Sequence, residues 1–432
     1  MISAARRQAA LEILELIDST GQSADRAVAG YLRGRRYIGG GDRRAILEQV
    51  YGVLRGQARL DWWILRAGGE VGPRTRLLAW LALTQGETLE SLAQDFLGQR
   101  HGPQPLNESE KNLLRYLDGK DLSDGSQSES VAFELPEWAV GELRAGLGDR
   151  FEQEAAALRE PAAVDLRVNT LKSDRETARR ALAAEGVEAA PTLLSPLGLR
   201  LETRKPIAAT KVFSEGMVEV QDEGSQLVVQ LVEAAPGLRV VDFCAGAGGK
   251  TLALAADMEN KGQLLALDVS EGRLRRAKAR FRRSGAHNIE TRTLRNERDP
   301  WLKRRKQAFD RVLVDAPCSG SGTWRRNPDA KWRLRSADLE TLADLQGRIL
   351  ESAARLVKPG GRLVYATCSL FALENEKRVE AFLEAHPDFS LLPASEVLPR
   401  VAEGRGDSWL KLLPGRDGTD GFFAAVLRRE DA

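Results

Sequence analysis

Cysteine and histidine are scarce in this chain of 432 residues, which contains only three of each. An odd and sparse set of cysteines argues against a scaffold held together by disulfides. No cysteine lies near a histidine in the sequence, so the ligand spacing of a zinc site is missing. We therefore predict no metal and no disulfide framework.

Long apolar runs are missing as well. No segment reaches the length of a membrane-spanning helix, and the first residues contain no apolar stretch of signal-peptide length. With 42% apolar and 29% charged residues, the composition is that of an ordinary globular protein. We expect a cytoplasmic protein of two or three domains with no membrane partner; nothing in the sequence indicates an oligomeric state.

Positive and negative charges nearly balance, with a formal net charge of +2, so net charge alone does not require a nucleic-acid partner. Basic residues are nevertheless concentrated at 273–283, 303–306 and 325–335. A phosphate backbone requires such a density of positive charge. A solvated helix face explains it equally well, and both interpretations stay open.

Three parts can be distinguished along the chain. Residues 1–125 show apolar residues at helical spacing and predict an all-helical domain. Residues 130–225 predict a small α+β segment, in which 165–172 alternates apolar and polar residues like a half-buried strand. In residues 226–432 strands and helices alternate, which predicts an α/β fold with a sheet covered by helices on both faces.

One stretch in the third part is typical of a ligand-binding loop. An apolar run that ends at Asp242 leads into Cys244-Ala-Gly-Ala-Gly-Gly-Lys250, and good helix formers follow. Glycines allow a close approach of the backbone to a ligand, and the start of a helix offers unpaired N–H groups. This order predicts a buried strand, a tight turn and a helix.

Three classes of ligand are candidates for this loop. A P-loop requires glycine at position 244, which is cysteine, and the dinucleotide motif requires glycine at 251, which is threonine. S-adenosylmethionine predicts an acidic residue about 20 positions later, at the end of the next strand, to hold the ribose hydroxyls. Asp268 provides it. A bare structural turn explains the glycines but not Asp268.

Two of the three cysteines follow predicted strands. Strand 311–315 leads into Pro317-Cys-Ser319, and strand 362–367 leads into Cys368. Ligands bind at the carboxyl ends of strands in open α/β sheets. A buried structural cysteine is the ordinary alternative for either one alone, but two beside a glycine-rich loop favour a chemical role.

Together these segments resemble the motifs of the Nol/Nop/Sun family of RNA cytosine-5 methyltransferases. The resemblance is carried by residues 244–251, 315–322 and 366–369. The helical start, with 5–11, 41–44 and 51–55, resembles RNA-binding domains of the NusB type, although a merely supporting bundle stays open. The chain thus looks like the RsmB branch, which modifies 16S ribosomal RNA. This implies a class I, Rossmann-like S-adenosylmethionine-dependent methyltransferase domain behind a NusB-like domain and an RNA-binding α+β segment.

The resemblance also implies catalytic roles. Cys368 would be the nucleophile that adds to C6 of cytosine, because a thiolate at C6 makes C5 reactive toward a methyl donor. Cys318 would assist removal of the C5 proton and product release. Asp315 would hydrogen-bond the cytosine edge near N3, and Lys250 is a cation suited to stabilising a thiolate.

The family pattern points to a larger set of residues around the cofactor S-adenosylmethionine. These are Cys244, Ala245, Gly246, Ala247, Gly248, Gly249, Lys250, Asp268, Arg273, Asn296 and Asp315. Asn296 stands where the family usually has an aspartate near the adenine, and Ala247 replaces a family proline. Residues 324–332 resemble the family's Arg-Arg-x-Pro-Asp segment, which suits an unstacked base and its phosphates; an ordinary solvated loop is the alternative.

Other functions stay open on the sequence alone. A non-catalytic RNA-binding or ribosome assembly factor built on the helical domain is one, although the intact Cys318 and Cys368 argue against it. A transfer RNA cytosine-5 methyltransferase is another. A P-loop NTPase is disfavoured by Cys244. Free 16S ribosomal RNA and an assembly intermediate are both compatible with the sequence as substrates.

Overall fold

The computed structural model describes residues 1–203, 205–403, 405 and 408–431. The chain forms two compact units. The helical unit comprises Met1–Ala145, Ala155–Glu160 and Trp324–Arg335, and the sheet unit comprises Gly146–Glu154, Pro161–Thr323 and Ser336–Ala432. Among the described residues, none of the helices is long and apolar enough to cross a membrane.

The helical unit confirms the helices predicted for the N-terminal region. Its apolar core includes Ile46, Val50, Val53 and Leu54, which recur at helical spacing on helix Gly40–Arg55. Its helices are Ser3–Thr20, Ala24–Arg33, Gly40–Arg55, Gln57–Arg66, Pro73–Gln85, Leu89–Asp95, Glu108–Leu117, Glu129–Ala132 and Ala330–Arg333. Two further helices, Glu137–Leu147 and Phe151–Ala157, contain residues of both units.

A small antiparallel sheet begins the sheet unit. Its strands are β1 (Asp165–Val168), β2 (Ala189–Pro191), β3 (Gly198–Leu201) and β4 (Val218–Val220), in the order β2-β3-β1-β4. Helices Arg175–Ala184, Lys211–Ser214 and Glu223–Gln230 accompany them.

The prediction that β1 is half buried is wrong, because all four of its residues are buried. Its first residue, Asp165, is compensated by partners instead of by solvent. The Asp165 carboxylate pairs with Arg200 on β3 at 2.7 Å and also accepts the backbone N–H of Glu223. A polar residue in an alternating pattern therefore marks an internal ion pair here.

The main sheet has eight strands. They are β5 (Arg239–Asp242), β6 (Gln263–Asp268), β7 (Ile289–Thr293), β8 (Phe309–Asp315), β9 (Val357–Thr367), β10 (Phe389–Leu392), β11 (Leu410–Leu412) and β12 (Phe422–Arg429). The order is β10-β12-β9-β8-β5-β6-β7, with β11 on β12. β5 to β9 pair in parallel, whereas β12 runs antiparallel to its neighbours. The predicted Rossmann-like fold is confirmed.

Apolar layers cover both faces of this sheet. Val240 belongs to one layer and Val241 to the other, and the same alternation holds for Leu264 and Leu265. Successive side chains of a strand point to opposite faces, so strands covered on both faces read as unbroken apolar runs. The accompanying helices are Gly249–Asp257, Glu271–Ser284, Pro300–Lys303, Ser336–Ala354, Glu376–Ala385, Ala394–Val397, Pro399–Ala402 and Pro414–Asp417.

Three chain segments meet through backbone atoms at Gly322. Its N–H donates to the carbonyl oxygen of Cys368 at 3.0 Å, and its own carbonyl oxygen accepts from the N–H of Gly421 at 2.9 Å. A Cβ atom at position 322 would lie 2.2 Å from the carbonyl oxygen of Gly421. Only glycine fits here without moving backbone.

We predict that Gly322→Ala lowers the free energy of unfolding by about 3 kcal/mol, the cost of forcing extra volume into a packed site. Urea denaturation measures the change. Gly30→Ala is the control, since no atom lies within 4 Å of the added carbon on that helix and alanine is favoured there by about 1 kcal/mol. Equal stability of Gly322→Ala and the wild type would contradict this account of the backbone contact.

Candidate active site

Two cysteines lie side by side where β8 and β9 end. These strands are parallel neighbours, with Asp315 paired in register with Ala366. Cys318 follows β8 and Cys368 follows β9, and their Sγ atoms are 3.4 Å apart. Parallel pairing therefore brings together two residues that are 50 positions apart in the sequence.

The two thiols of this pair contact each other directly, and either sulfur can be the donor. The hydrogen bond with Cys368 raises the pKa of Cys318 well above its usual range, and burial acts in the same direction. Both effects favour the protonated form of Cys318, whereas a cysteine acts as a nucleophile in its thiolate form.

The third cysteine is held as an unreactive thiol. Burial raises the pKa of Cys244 well above the usual value, and the neighbouring Asp242 adds to the effect. A protonated, buried thiol is a small apolar side chain rather than a nucleophile. Cys244 lies on the glycine-rich loop as predicted, but its chemistry differs from that of the other pair.

Lys250 and Asp315 form an ion pair beside the cysteines. The Lys250 Nζ atom lies 2.6 Å from Asp315 Oδ2, and the lysine side chain is only 10% exposed. Burial disfavours the ammonium group, but Asp315 outweighs burial, so the pKa of Lys250 is raised. The charge of Cys368 contributes in the same direction, which puts this cation within electrostatic reach of the proposed nucleophile.

The glycine-rich loop joins β5 to helix Gly249–Asp257. Gly248 has φ of 80° and precedes the first turn, and a Cβ there would lie 2.5 Å from the ring of Phe281. The N–H of Gly246 donates to Asp268 Oδ2 at 2.8 Å, and the N–H of Ser270 donates to Oδ1 at 2.7 Å. Asp268 thus fixes the loop from the end of β6.

The surroundings of this loop suit a positively charged ligand. Asp242, Asp268 and Asp315 end three neighbouring strands, β5, β6 and β8. Asp242 Oδ2 accepts the hydroxyl of Thr251 at 2.7 Å, whereas its Oδ1 is buried without a hydrogen-bond partner among the residues that the structure describes. S-adenosylmethionine carries a sulfonium and an ammonium group, so its charge fits this donor set.

Sequence reasoning missed Asp242 as part of the site. The signal was present, because Asp242 ends β5 in the same way that Asp268 ends β6 and Asp315 ends β8. Val269 was missed too. It follows Asp268 directly and is 63% exposed, which places an apolar surface beside the acidic edge of the loop.

Arg273 and Asn296 lie after β6 and β7 and are both exposed. Arg273 lies in the first turn of helix Glu271–Ser284, and its N–H donates to the hydroxyl of Ser270. The Asn296 Oδ1 atom accepts the N–H of Arg298 at 2.9 Å, so this oxygen serves a local turn. The structure brings neither side chain into hydrogen-bond contact with the residues at the loop, and their predicted cofactor contacts stay predictions.

Residues 324–332 do not form a solvated loop. Trp324 and Lys331 are buried, and the segment Trp324–Arg335 belongs to the helical unit. There the backbone N–H of Ala24 donates to Asp329 at 3.1 Å, and Arg55 donates to the carbonyl oxygen of Arg325 at 2.8 Å. The ring of Trp324 is fully enclosed and is not available to stack on a base, whereas the suitability of the whole segment 324–332 for an unstacked base and its phosphates stays a prediction.

The basic helix Glu271–Ser284 has two kinds of positive side chain. Arg280 and Arg283 form ion pairs with the buried Glu219. The others are exposed, and no ion pair joins them to the described carboxylates: Arg273, Arg275, Arg276, Lys278 and Arg282. An unneutralised row of this kind is available to phosphates.

Comparisons with known protein families agree with this geometry. The model of a family described as 16S rRNA methyltransferase RsmB/F matches residues 229–428. A second model, described as the ferredoxin-like domain of RsmF/B-like methyltransferases, matches residues 135–208. The two matches cover most of the sheet unit.

Several named relatives resemble the chain over most of its length. The probable ribosomal RNA small subunit methyltransferase B of Bacillus subtilis is 32% identical, over 90% of this chain and 91% of its own. The corresponding protein of Xylella fastidiosa is 37% identical, over 90% of this chain and 92% of its own.

Solved structures resemble the chain too. The crystal structure of PH0851 is similar with a TM-score of 0.83 and 28% identity, over 99% of both chains. That of a methyltransferase homolog protein from Pyrococcus horikoshii has a TM-score of 0.58 and 29% identity, over 69% of this chain and 97% of its own.

Asp242 leads to a prediction on stability. Burial raises its pKa from 3.8 to about 7. The folded state therefore binds a proton that the unfolded state has released, and stability is lost as the pH rises toward the folded pKa. Without cofactor, the free energy of unfolding of the wild type should fall by roughly 2–3 kcal/mol between pH 5 and pH 8 relative to Asp242→Asn.

The measurement is urea denaturation of both proteins across that range, taking the difference between the two curves so that other titrating groups cancel. The asparagine retains an oxygen for the Thr251 hydroxyl, so the variant keeps the local hydrogen bond. A constant difference over the whole range would mean that Asp242 is not protonated in the fold.

Proposed function

Since the chain belongs to the RsmB/F family of 16S rRNA methyltransferases, we propose that it methylates C5 of a cytosine in 16S ribosomal RNA through a covalent bond between Cys368 and C6. It is an S-adenosylmethionine-dependent RNA methyltransferase. The observation that supports the cytosine-5 reaction is the pair of sulfur atoms 3.4 Å apart beside the glycine-rich loop.

The first step needs a thiolate. C5 of cytosine is a weak nucleophile, and addition of a sulfur anion to C6 pushes an electron pair toward C5. In the resting site the contact with Cys368 and burial both favour the protonated form of Cys318. Cys368 stands where the family motif has its nucleophile, and it forms the bond to C6 once its thiol has lost its proton to solvent. The bound S-adenosylmethionine supplies the methyl group that C5 then takes.

Asp315 orients the base during this addition. Its carboxylate is held by Lys250 at 2.6 Å and is about one-third exposed, so it can accept a hydrogen bond from the N4 amino group of cytosine, and from N3 once that nitrogen is protonated. Charge that develops on the ring is stabilised best by groups already in place. The Lys250 ammonium keeps this carboxylate in place and adds a positive charge next to Cys368.

The last step needs a base. After methylation C5 still carries its proton, and removal of that proton restores the double bond while the C6–S bond breaks and returns the thiolate. Once Cys368 is bonded to carbon, its hydrogen bond with Cys318, the largest cause of the raised pKa of Cys318, is weakened and its negative charge is gone, so less keeps Cys318 protonated although burial still acts. Cys318 can then lose its own proton to solvent and accept the one from C5.

The substrate must present its base outside a helix, because C5 and C6 are not accessible to two cysteines within stacked RNA. Residues that would hold the cofactor are those of the loop from Cys244 to Lys250, with Asp268 at the ribose and Asp242 at the amino group. Exposed arginines of helix Glu271–Ser284 would contact the phosphates.

We predict opposite outcomes for the two cysteine variants. With labelled S-adenosylmethionine and 16S ribosomal RNA, Cys368→Ala should lose at least about 10³-fold of the methylation rate because no adduct forms. Cys318→Ala should accumulate an RNA–protein adduct that resists denaturation, because addition proceeds without release. The readouts are 5-methylcytosine by mass spectrometry and gel mobility after denaturation.

Cofactor affinity of both variants, measured by calorimetry, should stay within about threefold of wild type, since the two thiols lie outside the proposed cofactor loop. Methylation that persists in Cys368→Ala would contradict the assignment of the nucleophile. Parallel reactions with transfer RNA and with small-subunit particles decide the substrate. Cofactor binding without transfer to any of these RNAs would favour the assembly-factor function.

A further inference from the structure

Glu374 is a buried carboxylate to which nothing above assigns a role. It lies in the turn between β9 and helix Glu376–Ala385 and is fully enclosed. It makes no ion pair with the side chains that the structure describes. Burying a charge without a cation costs several kcal/mol unless hydrogen bonds compensate it, so such a group calls for an explanation.

The carboxylate compensates its burial with four donors. Oε1 accepts the backbone N–H of Ser319 at 2.9 Å and the Nε2 of Gln346 at 2.8 Å. Oε2 accepts the hydroxyls of Ser319 and Ser369. Ser319 follows Cys318 directly, and Ser369 follows Cys368 directly. One carboxylate therefore bridges the residues next to both cysteines.

Neighbouring contacts extend this bridge. Gln346 also donates to the carbonyl oxygen of Pro317 at 3.0 Å, so the chain is fixed on both sides of Cys318. On the other loop, the Asn375 amide donates to the carbonyl oxygen of Ser369 at 2.9 Å, and Tyr365 donates to the Glu374 carbonyl oxygen at 2.6 Å. The Glu374 side chain is held as firmly as the loops that it joins.

We propose that Glu374 is the positioning residue that keeps the sulfur atoms of Cys318 and Cys368 in register on one base. This inference rests on the proposed function, in which one sulfur acts at C6 and the other at the adjacent C5. If the two loops moved apart, one sulfur could reach its ring atom of the cytosine while the other sulfur could not. Four charge-assisted hydrogen bonds to a single group provide that constraint.

Two variants separate geometry from charge. Glu374→Gln has the same shape, keeps one oxygen for Ser319 N–H and Gln346, and offers an amide to hydroxyls that can rotate. Glu374→Leu removes all four hydrogen bonds. Glu223→Gln is the matched control, since Glu223 is also buried and accepts two backbone N–H groups, from Leu194 and Ser195, outside the active site.

The first readout does not depend on methylation. Diamide oxidises two neighbouring thiols to a disulfide and is itself reduced to the hydrazine, so the rate of Cys318–Cys368 disulfide formation reports how the sulfurs are held. The second readout is kcat and KM with 16S ribosomal RNA. Glu374→Leu should form the disulfide at least about tenfold more slowly and lose about 100-fold in kcat with KM unchanged. Glu374→Gln and Glu223→Gln should stay within threefold of wild type in both assays.

Three results would overturn the proposal. Wild-type values in Glu374→Leu would show that the bridge is dispensable. A loss of kcat in Glu374→Gln as large as in Glu374→Leu, with normal disulfide formation, would assign the effect to charge. If Glu223→Gln lost as much kcat and as much of the rate of disulfide formation as Glu374→Leu, the effect of Glu374→Leu would be assigned to a loss of stability.

If Glu374→Leu fails to fold, the double variant Ser319→Ala/Ser369→Ala decides, because it removes both hydroxyl links and leaves the carboxylate in place. Slower disulfide formation in that variant supports the proposal, and an unchanged rate overturns it. Should the wild type methylate no RNA yet form the disulfide in a Glu374-dependent way, the proposed function has failed while the positioning role stands.

Discussion

Parallel pairing of β8 with β9 places two cysteine-bearing loops next to each other, and the rest of the site depends on that adjacency. The register of Asp315 with Ala366 sets how far each strand reaches before its loop begins. The sulfurs then lie 3.4 Å apart, and the backbone of Gly322 packs against both Cys368 and Gly421. A site assembled from strand ends in this way needs close backbone contacts more than it needs large side chains.

The electrostatics of the site follow from the same edge. Strands β5, β6 and β8 each end in an aspartate, so carboxyl groups collect around the glycine-rich loop. Lys250 counters it near the cysteines, and Asp315 holds that lysine charged. The result is an acidic pocket for a cationic methyl donor next to a pair of sulfur atoms in contact. A cofactor that is stabilised by negative charge and a thiolate that is stabilised by positive charge can therefore lie at one edge of the sheet.

Much of this was accessible from sequence. Continuous apolar runs predicted the central strands because both of their faces are covered, and the glycine-rich loop, Asp268 and the two cysteines were found from their positions after strands. The short strands β10 and β11 were not predicted, since three or four residues carry too little periodicity. Alternation in β1 was misread because its Asp165 is neutralised by Arg200, a partner from another strand.

Long-range polar contacts account for what was missed within the site. The role of Glu374 depends on Ser319, which is 55 residues away, and no local pattern signals such a bond. Residues 324–332 were expected to suit an unstacked base, but an aromatic and basic composition does not reveal that the ring of Trp324 is enclosed. Composition indicates what a segment can bind, whereas burial decides whether it is available.

The most direct test of the cytosine-5 account uses RNA in which the target cytosine carries fluorine at C5. Fluorine cannot be removed as a proton is, so the methylated adduct should stay attached to the enzyme. Mass spectrometry of the digested complex should then find the nucleotide on the peptide that contains Cys368. A nucleotide on the Cys318 peptide, or methylation of ordinary RNA with no adduct trapped by the fluorinated RNA, would contradict the proposed mechanism.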